Sequence, residues 1–433
     1  MLTRMRLLFL SPAANLGGAE RCMLDYAASL LSRAPGAEIG LLVAADGPLV
    51  QEASSLGVRV LRLGFGNHLA EVGDSALRWY GSGALRGFSE RALRASADVA
   101  NYVFQLRTAI RSFSPSVVHS NGLKMHLLAA AARNGAPLVW HLHDFIGERP
   151  VISRALRACA WRANAFIANS NAVAADASRF LPRLASNVIY NAIDTDFFSP
   201  TGAIANLDAL AGCDPCESQT VRVGLIATYA RWKGHDVFLE AVRLVRSRLS
   251  AADVRFYIIG GPIYETAASQ YSEGELRALI DRFGLAESVR VVPFQNRVDE
   301  VYRALDIVVH ASSRPEPFGR TIVEGMAAGK AVVACREGGA AELFSDGVEA
   351  IGVRPRDPEA MAEAIVGLVR NPSRRDVLGR TGRAAATQRF ARKRLADQLL
   401  RVYERAGVGA FAAHGAAPNE AKAPSSSRSA ENH

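Results

Sequence analysis

Short apolar runs alternate with longer amphipathic stretches through the first half of the chain. MRLLFL (residues 5–10) precedes a helical period over 18–31, IGLLVA (39–44) and VRVLRL (58–63) follow, SVVHS (116–120) leads to a helical stretch over 124–133, and PLVWHLH (137–143) and AFIANS (165–170) close the series. Apolar strands separated by helices predict βαβ units and a parallel sheet covered on both faces. The pattern lapses over residues 199–218, a Pro-, Gly- and Cys-containing connector. It restarts with VRVGLIAT (221–228), a helix over 236–248, VRFYIIG (254–260), VRVVPF (289–294), DIVVHAS (306–312) and AVVAC (331–335). The expected class is α/β, with two doubly wound parallel-sheet domains over residues 1–198 and 199–387. Ligands of open parallel sheets bind beyond the carboxyl ends of the strands. Two such sheets facing each other would aim both sets of strand ends at one interdomain cleft. Residues 380–405 carry a further helical period with Leu395, Leu399 and Val402 apolar, and residues 411–433 hold little to bury and are expected to be disordered.

A chain of 433 residues can build two cores, since single cores stop growing near about 250–300 residues. No apolar stretch approaches the roughly 20 residues of a spanning helix. The run over residues 7–10 is too short for the core of a leader peptide and reads as the first strand. Five cysteines in a chain of this length give no disulfide framework and point to a reducing cytosol, so a cytoplasmic location is expected. Cys213 and Cys216 have zinc or redox spacing, but no second Cys/His pair lies nearby and they read as a loop pair. The formal charge is +9, and residues 1–200 hold 20 Lys+Arg against 14 Asp+Glu. That excess predicts an anionic partner. It is nearly all arginine, without a basic block or aromatic-basic motif, so nucleic acid is not the expected one. Arginines over residues 78–111, interspersed with Trp79, Tyr80, Phe88, Tyr102 and Phe104, suit either a surface for anionic membrane or solvated helices with buried aromatics.

Candidate chemistry lies at the strand ends. After the first strand come Asn15, Gly17 and Gly18, where glycines would let a ligand reach backbone N–H groups at a helix N-terminus, or would simply form a tight turn. VWHLHDF ends a strand with His141 and His143 on one face and His143 nearest the carboxyl edge. No further ligand pattern accompanies them, and a metal is not expected. Arg231 and Lys233 follow the strand VRVGLIAT together with Gly234. Two cations there are what a departing diphosphate needs, because fixed positive charge in a dry cleft stabilises developing negative charge. The strongest feature is the segment over residues 306–335. It holds Glu316, Pro317, Phe318, Gly319 and Arg320 in a loop leading to a helix, with Glu324 eight residues after the first glutamate, so both carboxylates can reach a ligand at the helix N-terminus. Gly338 and Gly339 then form another glycine turn able to contact phosphate, while Glu342 could simply favour a helix N-terminus.

These residues resemble a family-4 retaining glycosyltransferase of the GT-B fold, in which two Rossmann-like domains face an interdomain cleft. The E-x7-E segment, WKGHD, REGGAAE, the N-terminal GGAE and the hinge-like NAIDTDFF (residues 191–198) carry the resemblance, which spans roughly residues 5–407. It implies that Glu324 binds the donor's ribose, that Glu316 lies against the transferred sugar with His143, and that Lys233 embraces the diphosphate. It also implies that Gly17 and Gly18 face the phosphates and that the last helix, about 388–407, crosses back onto the first domain. The family's Gly-Arg pair is replaced here by Ala227 and Thr228, which raises the question of whether Arg231 supplies the second cation. The implied activity is metal-independent transfer of a hexosyl unit from a UDP- or GDP-sugar to a glycan, lipid-linked or small-molecule acceptor, with no cofactor. Such enzymes in bacteria build surface polysaccharides or glycolipids, and a peripheral place at the inner face of the membrane would follow. The rivals are a non-catalytic nucleotide-sugar or glycan-binding protein and a nucleotide-sugar epimerase on the same fold.

Overall fold

A computed structural model describes residues 5–66, 69, 85–132, 135–262 and 269–408, with backbone alone over 85–95. Its first sheet contains β1 (Arg6–Ser11), β2 (Glu38–Val43), β3 (Arg59–Arg62), β4 (Val117–Asn121), β5 (Leu138–Leu142), β6 (Ala165–Ala168) and β7 (Ala185–Val188), in the order β3-β2-β1-β4-β5-β6-β7. The second contains β8 (Val221–Ile226), β9 (Val254–Gly260), β10 (Val289–Pro293), β11 (Ile307–His310), β12 (Ala331–Cys335) and β13 (Ile351–Val353), in the order β10-β9-β8-β11-β12-β13. The named strand pairs in both are parallel. The continuous apolar runs follow from burial on both faces. Leu7 and Phe9 of β1 enter one core while Leu8 and Leu10 enter the other, and in β11 Val309 and Val308 divide in the same way.

The connector over 199–218 is more than a spacer. It forms a short helix, Leu207–Ala211, whose Leu207 enters the second domain's core. Asp208 beside it is buried and accepts from Arg255 Nη1 (2.8 Å), Tyr257 Oη (2.7 Å) and the Cys216 amide (3.0 Å). Burial alone would raise its carboxyl, and these donors hold it well below the usual carboxylate range. Cys213 and Cys216 thus belong to a loop wrapped round a buried acid.

The helical period over 380–405 divides in two. Pro372–Arg389 packs on the second domain, Leu395–Arg405 packs on the first-domain helix Gly18–Arg33, and the break between them is where the chain recrosses. At the break Ala391 pairs with Ile193 as an isolated β-bridge, with Ile193 N to Phe390 O at 2.9 Å and Arg392 N to Ile193 O at 2.9 Å. Extended backbone at that bridge is incompatible with one continuous helix. Leu395, Leu399, Val402 and Tyr403 then complete the first domain's core.

Among the described residues no helix is long and apolar enough to cross a membrane. Of the aromatics in 78–111, Tyr102 is buried and Phe104 is 70% exposed. Trp79 and Tyr80, the side chain of Phe88 and the tail over 411–433 lie outside the described residues.

Candidate functional site

The second domain positions Lys233 through a glycine. Gly234 ends the turn Arg231–Lys233 and opens the helix His235–Arg246 at φ +74°, and a Cβ there would lie 1.9 Å from the Ala311 carbonyl oxygen. Only glycine allows the loop after β8 to rest directly on the loop after β11. Lys233 Nζ, 3.9 Å from the Trp232 ring centre, consequently reaches Glu316 Oε2 at 2.8 Å. The same carboxylate oxygen lies 3.0 Å from His310 Nε2 and 2.7 Å from Ser312 Oγ, both contributed by the end of β11. Burial would raise the Glu316 carboxyl, but the Lys233 ammonium and the His310 hydrogen bond hold it well below the usual range. It is a carboxylate at any ordinary pH.

Glu324 lies on the helix Arg320–Ala327, whose left-handed cap is Gly319. Its Oε2 accepts from Tyr302 Oη at 2.9 Å and its Oε1 from Arg320 Nε at 3.2 Å. Phe318, buried just before, packs near Tyr190 and Phe390. Arg320 also crosses to the first domain, donating from Nη1 to Asp25 Oδ2 (3.0 Å) and to the Ala192 carbonyl (3.1 Å). A Cβ on Gly18 would lie 3.8 Å from Arg320 Cδ, so the N-terminal glycine loop faces the E-x7-E helix across the cleft. The Gly17 amide is taken by Glu20 Oε2 at 3.1 Å, an arrangement that starts the helix Gly18–Arg33.

On the first domain His143 lies just past β5, its Nε2 3.1 Å from Asn121 Oδ1. Burial, against the pull of Asp144 and joined by the Arg320 charge, lowers its pKa to about 4, so the ring is neutral. Its ring centre is 4.0 Å from that of His141, on the face that strand alternation predicts. Cys22, His141 and His143 offer ligand atoms within 4.8 Å of one another. The Cys22 thiol is committed to Asn191 Oδ1 at 2.9 Å, and burial pushes it far above its ordinary value.

The remaining predicted residues are placed differently. Arg231 points away from Glu316: it donates to Glu275 Oε1 at 2.7 Å and stacks over Tyr271 at 4.3 Å. Thr228 is half-buried in the loop after β8. Gly338 and Gly339 pack against the Glu316 loop, where Gly339 N donates to Glu316 O at 2.7 Å, and a Cβ on Gly339 would meet Pro317 O at 2.0 Å and Ser170 Cβ at 2.8 Å. Glu342 does serve a helix N-terminus, but one in the other domain. It accepts from the Asn171 and Ala172 amides at 2.9 and 2.8 Å and from Tyr190 Oη at 2.8 Å, tying the glycine loop to the helix Asn171–Phe180. Sequence reasoning missed His310, Ser312, Tyr302 and Asp25. Asp25 left a signal, an acid on the apolar side of the helix Gly18–Arg33.

A family model described as Glycosyltransferase Family 4 matches residues 16–197, and one described as Glycosyl transferases group 1 matches residues 220–371. The D-inositol 3-phosphate glycosyltransferase of Mycobacterium ulcerans is 33% identical over 230 residues, which are 52% of this chain and 46% of that relative. The match therefore spans less than half of that relative's length. The lipopolysaccharide core biosynthesis mannosyltransferase LpsB of Rhizobium meliloti is 30% identical over 222 residues, covering 51% of this chain and 60% of LpsB. Among solved structures, HepE of Anabaena in complex with UDP and glucose superposes with a TM-score of 0.74 at 25% identity, over 93% of this chain and 100% of HepE.

Proposed function

Because this chain belongs to the family-4, group 1 glycosyltransferases and has their GT-B fold, we propose that it moves a hexosyl unit from a UDP- or GDP-sugar to a glycan, lipid-linked or small-molecule acceptor, with retained configuration and without a metal ion. UDP is the first nucleotide to test, since it occupies a structural neighbour. The observation that carries the reading is the joint placement of Glu316 on Lys233 and of Glu324 on a buried helix whose Arg320 faces Gly18 and bears its charge on His143.

Each residue has a derived part. Glu324, with lone pairs beyond those used by Tyr302 and Arg320, accepts the ribose hydroxyls. Glu316 is fixed as a carboxylate by three donors and orients the sugar hydroxyls. His143, neutral, hydrogen-bonds the sugar without adding charge. In the transfer the bond from the anomeric carbon to the diphosphate oxygen breaks, and the bond to the acceptor oxygen forms on the same face. The acceptor proton passes to the departing phosphate oxygen, so no carboxylate nucleophile is needed, unlike most retaining glycoside hydrolases. Lys233 stabilises the growing charge on the diphosphate from a site largely closed to water.

With Arg231 engaged by Glu275, one loop cation faces Glu316, and this favours a second reading as a nucleotide-sugar-binding protein without turnover. Thermal melting with UDP, GDP and ADP, beside Glu324→Ala, tests the donor site: one diphosphonucleotide should stabilise the parent protein and not the variant. Turnover of the matching nucleotide-sugar in the presence of a chelator, with the product's anomeric configuration read by NMR, then tests the chemistry. Binding without turnover on any acceptor would leave the second reading standing. A lipid-linked acceptor and a place at the inner face of the cytoplasmic membrane predict sedimentation with anionic vesicles at low salt, and its absence would remove the membrane contact.

A further inference from the structure

Arg320 is the junction of a run of alternating charges that the transfer chemistry does not use. Its side chain is 13% exposed and lies between two carboxylates that are each 10% exposed, Glu324 of the second domain and Asp25 of the first. The other oxygen of Asp25 faces Arg392 Nη1 at 3.7 Å, and Arg392 is paired in turn with Asp194. Arg392 and Asp194 flank the bridge between Ile193 and Ala391, where the chain's two crossings between the domains bond to each other. The sequence of charges thus leads from the carboxylate assigned to the ribose, through the first domain, to both crossings.

A purely stabilising role accounts poorly for this arrangement. Burying several ions costs much of what their attraction returns, and apolar side chains of the same volume would hold the interface as well or better. The i, i+4 pair of Arg320 with Glu324 would also ordinarily lie on a helix surface. Here the guanidinium instead takes ligands from the E-x7-E helix, from Asp25 and from the Ala192 carbonyl. Ribose hydroxyls that donate to Glu324 would reduce that carboxylate's hold on Arg320 and leave more of the guanidinium's charge to Asp25. A ligand shifts a conformational equilibrium only by its differential affinity for the two states, and this shared guanidinium supplies such a difference.

We propose that Arg320 is a positioning residue that couples occupancy of Glu324 by the donor nucleotide to the apposition of the two domains, acting through Asp25 and Arg392 on the paired crossings. The proposal rests on Glu324 being the ribose-binding carboxylate.

The test compares the full chain with Asp25→Asn and Arg392→Gln. Three quantities are measured with UDP and with GDP: nucleotide affinity, the nucleotide-induced rise in melting temperature, and the nucleotide-induced change in a fluorescence distance between labels on the two domains. The expected result is that both variants still bind the nucleotide, with affinity reduced by about fivefold or more, the scale of allosteric couplings. Both should also lose the distance change and, with nucleotide held near the parent protein's Kd, most of the melting increment. A merely structural role would lower the melting temperature with and without nucleotide equally and leave the increment and the distance change intact; that outcome overturns the proposal. If Asp25→Asn fails to fold, Arg392→Gln alone decides by the same criteria. Should the parent protein bind neither nucleotide, the donor reading itself falls, and the proposal with it.

Discussion

The two walls of the cleft hold their titratable groups in opposite ways. On the second domain the acids are met by cations: Glu316 by Lys233, with His310 and Ser312 on the same oxygen, and Glu324 by Arg320. On the first domain, β4 and β5 carry His119 and His141 and the helix Leu123–Ala132 carries His126, all fully buried and kept uncharged by burial itself. Among the described residues neither ring nitrogen of His141 has a hydrogen-bond partner, while His119 Nδ1 meets Tyr403 Oη at 2.8 Å and His126 Nδ1 meets Ser120 Oγ at 2.7 Å. Pairing and neutralisation both keep polar groups tolerable in a dry interior, but they fail under different insults. The paired wall is vulnerable to loss of a partner, and the neutral wall to supply of protons.

The largest effect should come from unpairing. Lys233→Ala is expected to lower kcat by about 10²–10³-fold, the scale seen when one fixed electrostatic donor is removed, and to weaken nucleotide binding far less. Equal losses in both would mean that Lys233 contributes to ground-state binding only. Gly234→Ala attacks the same wall from behind by forcing a Cβ against the Ala311 carbonyl at positive φ. It should cost about 2 kcal/mol or more in urea unfolding, in the range of imposed backbone strain, and lower kcat by displacing Lys233. A stable variant with full activity would show that the two loops need not touch.

The neutral wall is tested by pH. The folded-state pKa of His119 and of His126 is lowered to about 3 from 6.5, so below pH 6.5 the unfolded chain binds more protons than the folded one. Stability is therefore lost as pH falls from about 6.5 towards 3, by about 1.4 kcal/mol per pH unit for each such histidine. Glu316, whose folded pKa is depressed below 4.5, contributes stability that is present above 4.5 and lost only beneath it. His235 of the second domain, lowered to about 4 by burial, loses stability over the same range, but it is set against His119, His126, His141 and His143 in the first, so acid should cost the first domain more than the second. His141→Phe, which keeps a ring and removes a group that must take up a proton, should flatten the slope of urea stability between pH 6.5 and 4. An unchanged slope would show that these rings are not the source. The smallest effect is expected for Arg231→Ala. Its pair with Glu275 is exposed, so stability should change by less than about 1 kcal/mol, with kcat/KM within about threefold. A tenfold fall in kcat would place Arg231 on the diphosphate after all.

The sheets and the E-x7-E segment were legible because they are local facts: apolar runs of strand length, a glycine-bearing loop, two acids at fixed spacing. His141 and His143 could be assigned a common face for the same reason. What escaped the sequence depends on approach between distant segments. That Glu316 would be held by His310, six residues earlier, and also by Lys233, 83 residues earlier, required knowing that Gly234 brings two loops into contact. Glu342 was legible as a helix-terminal acid, but the helix it serves begins 171 residues earlier in the other domain. The helical period over 380–405 concealed a break because both halves bury an apolar stripe, and the stripes face different cores.

The final helix sets an order of events in synthesis. Leu395, Leu399 and Tyr403, with Ala396, Val402, Ala406 and Val408, belong to a core whose other buried members were all made before residue 193, and Tyr403 supplies the partner of His119 Nδ1. The whole of the second sheet is translated in between, an interval on the order of 10–40 s at typical elongation rates. The part of the protein that leaves the ribosome first is thus the last to be completed. A nascent first domain waits with an open apolar face and an unpartnered imidazole until the chain returns to close it.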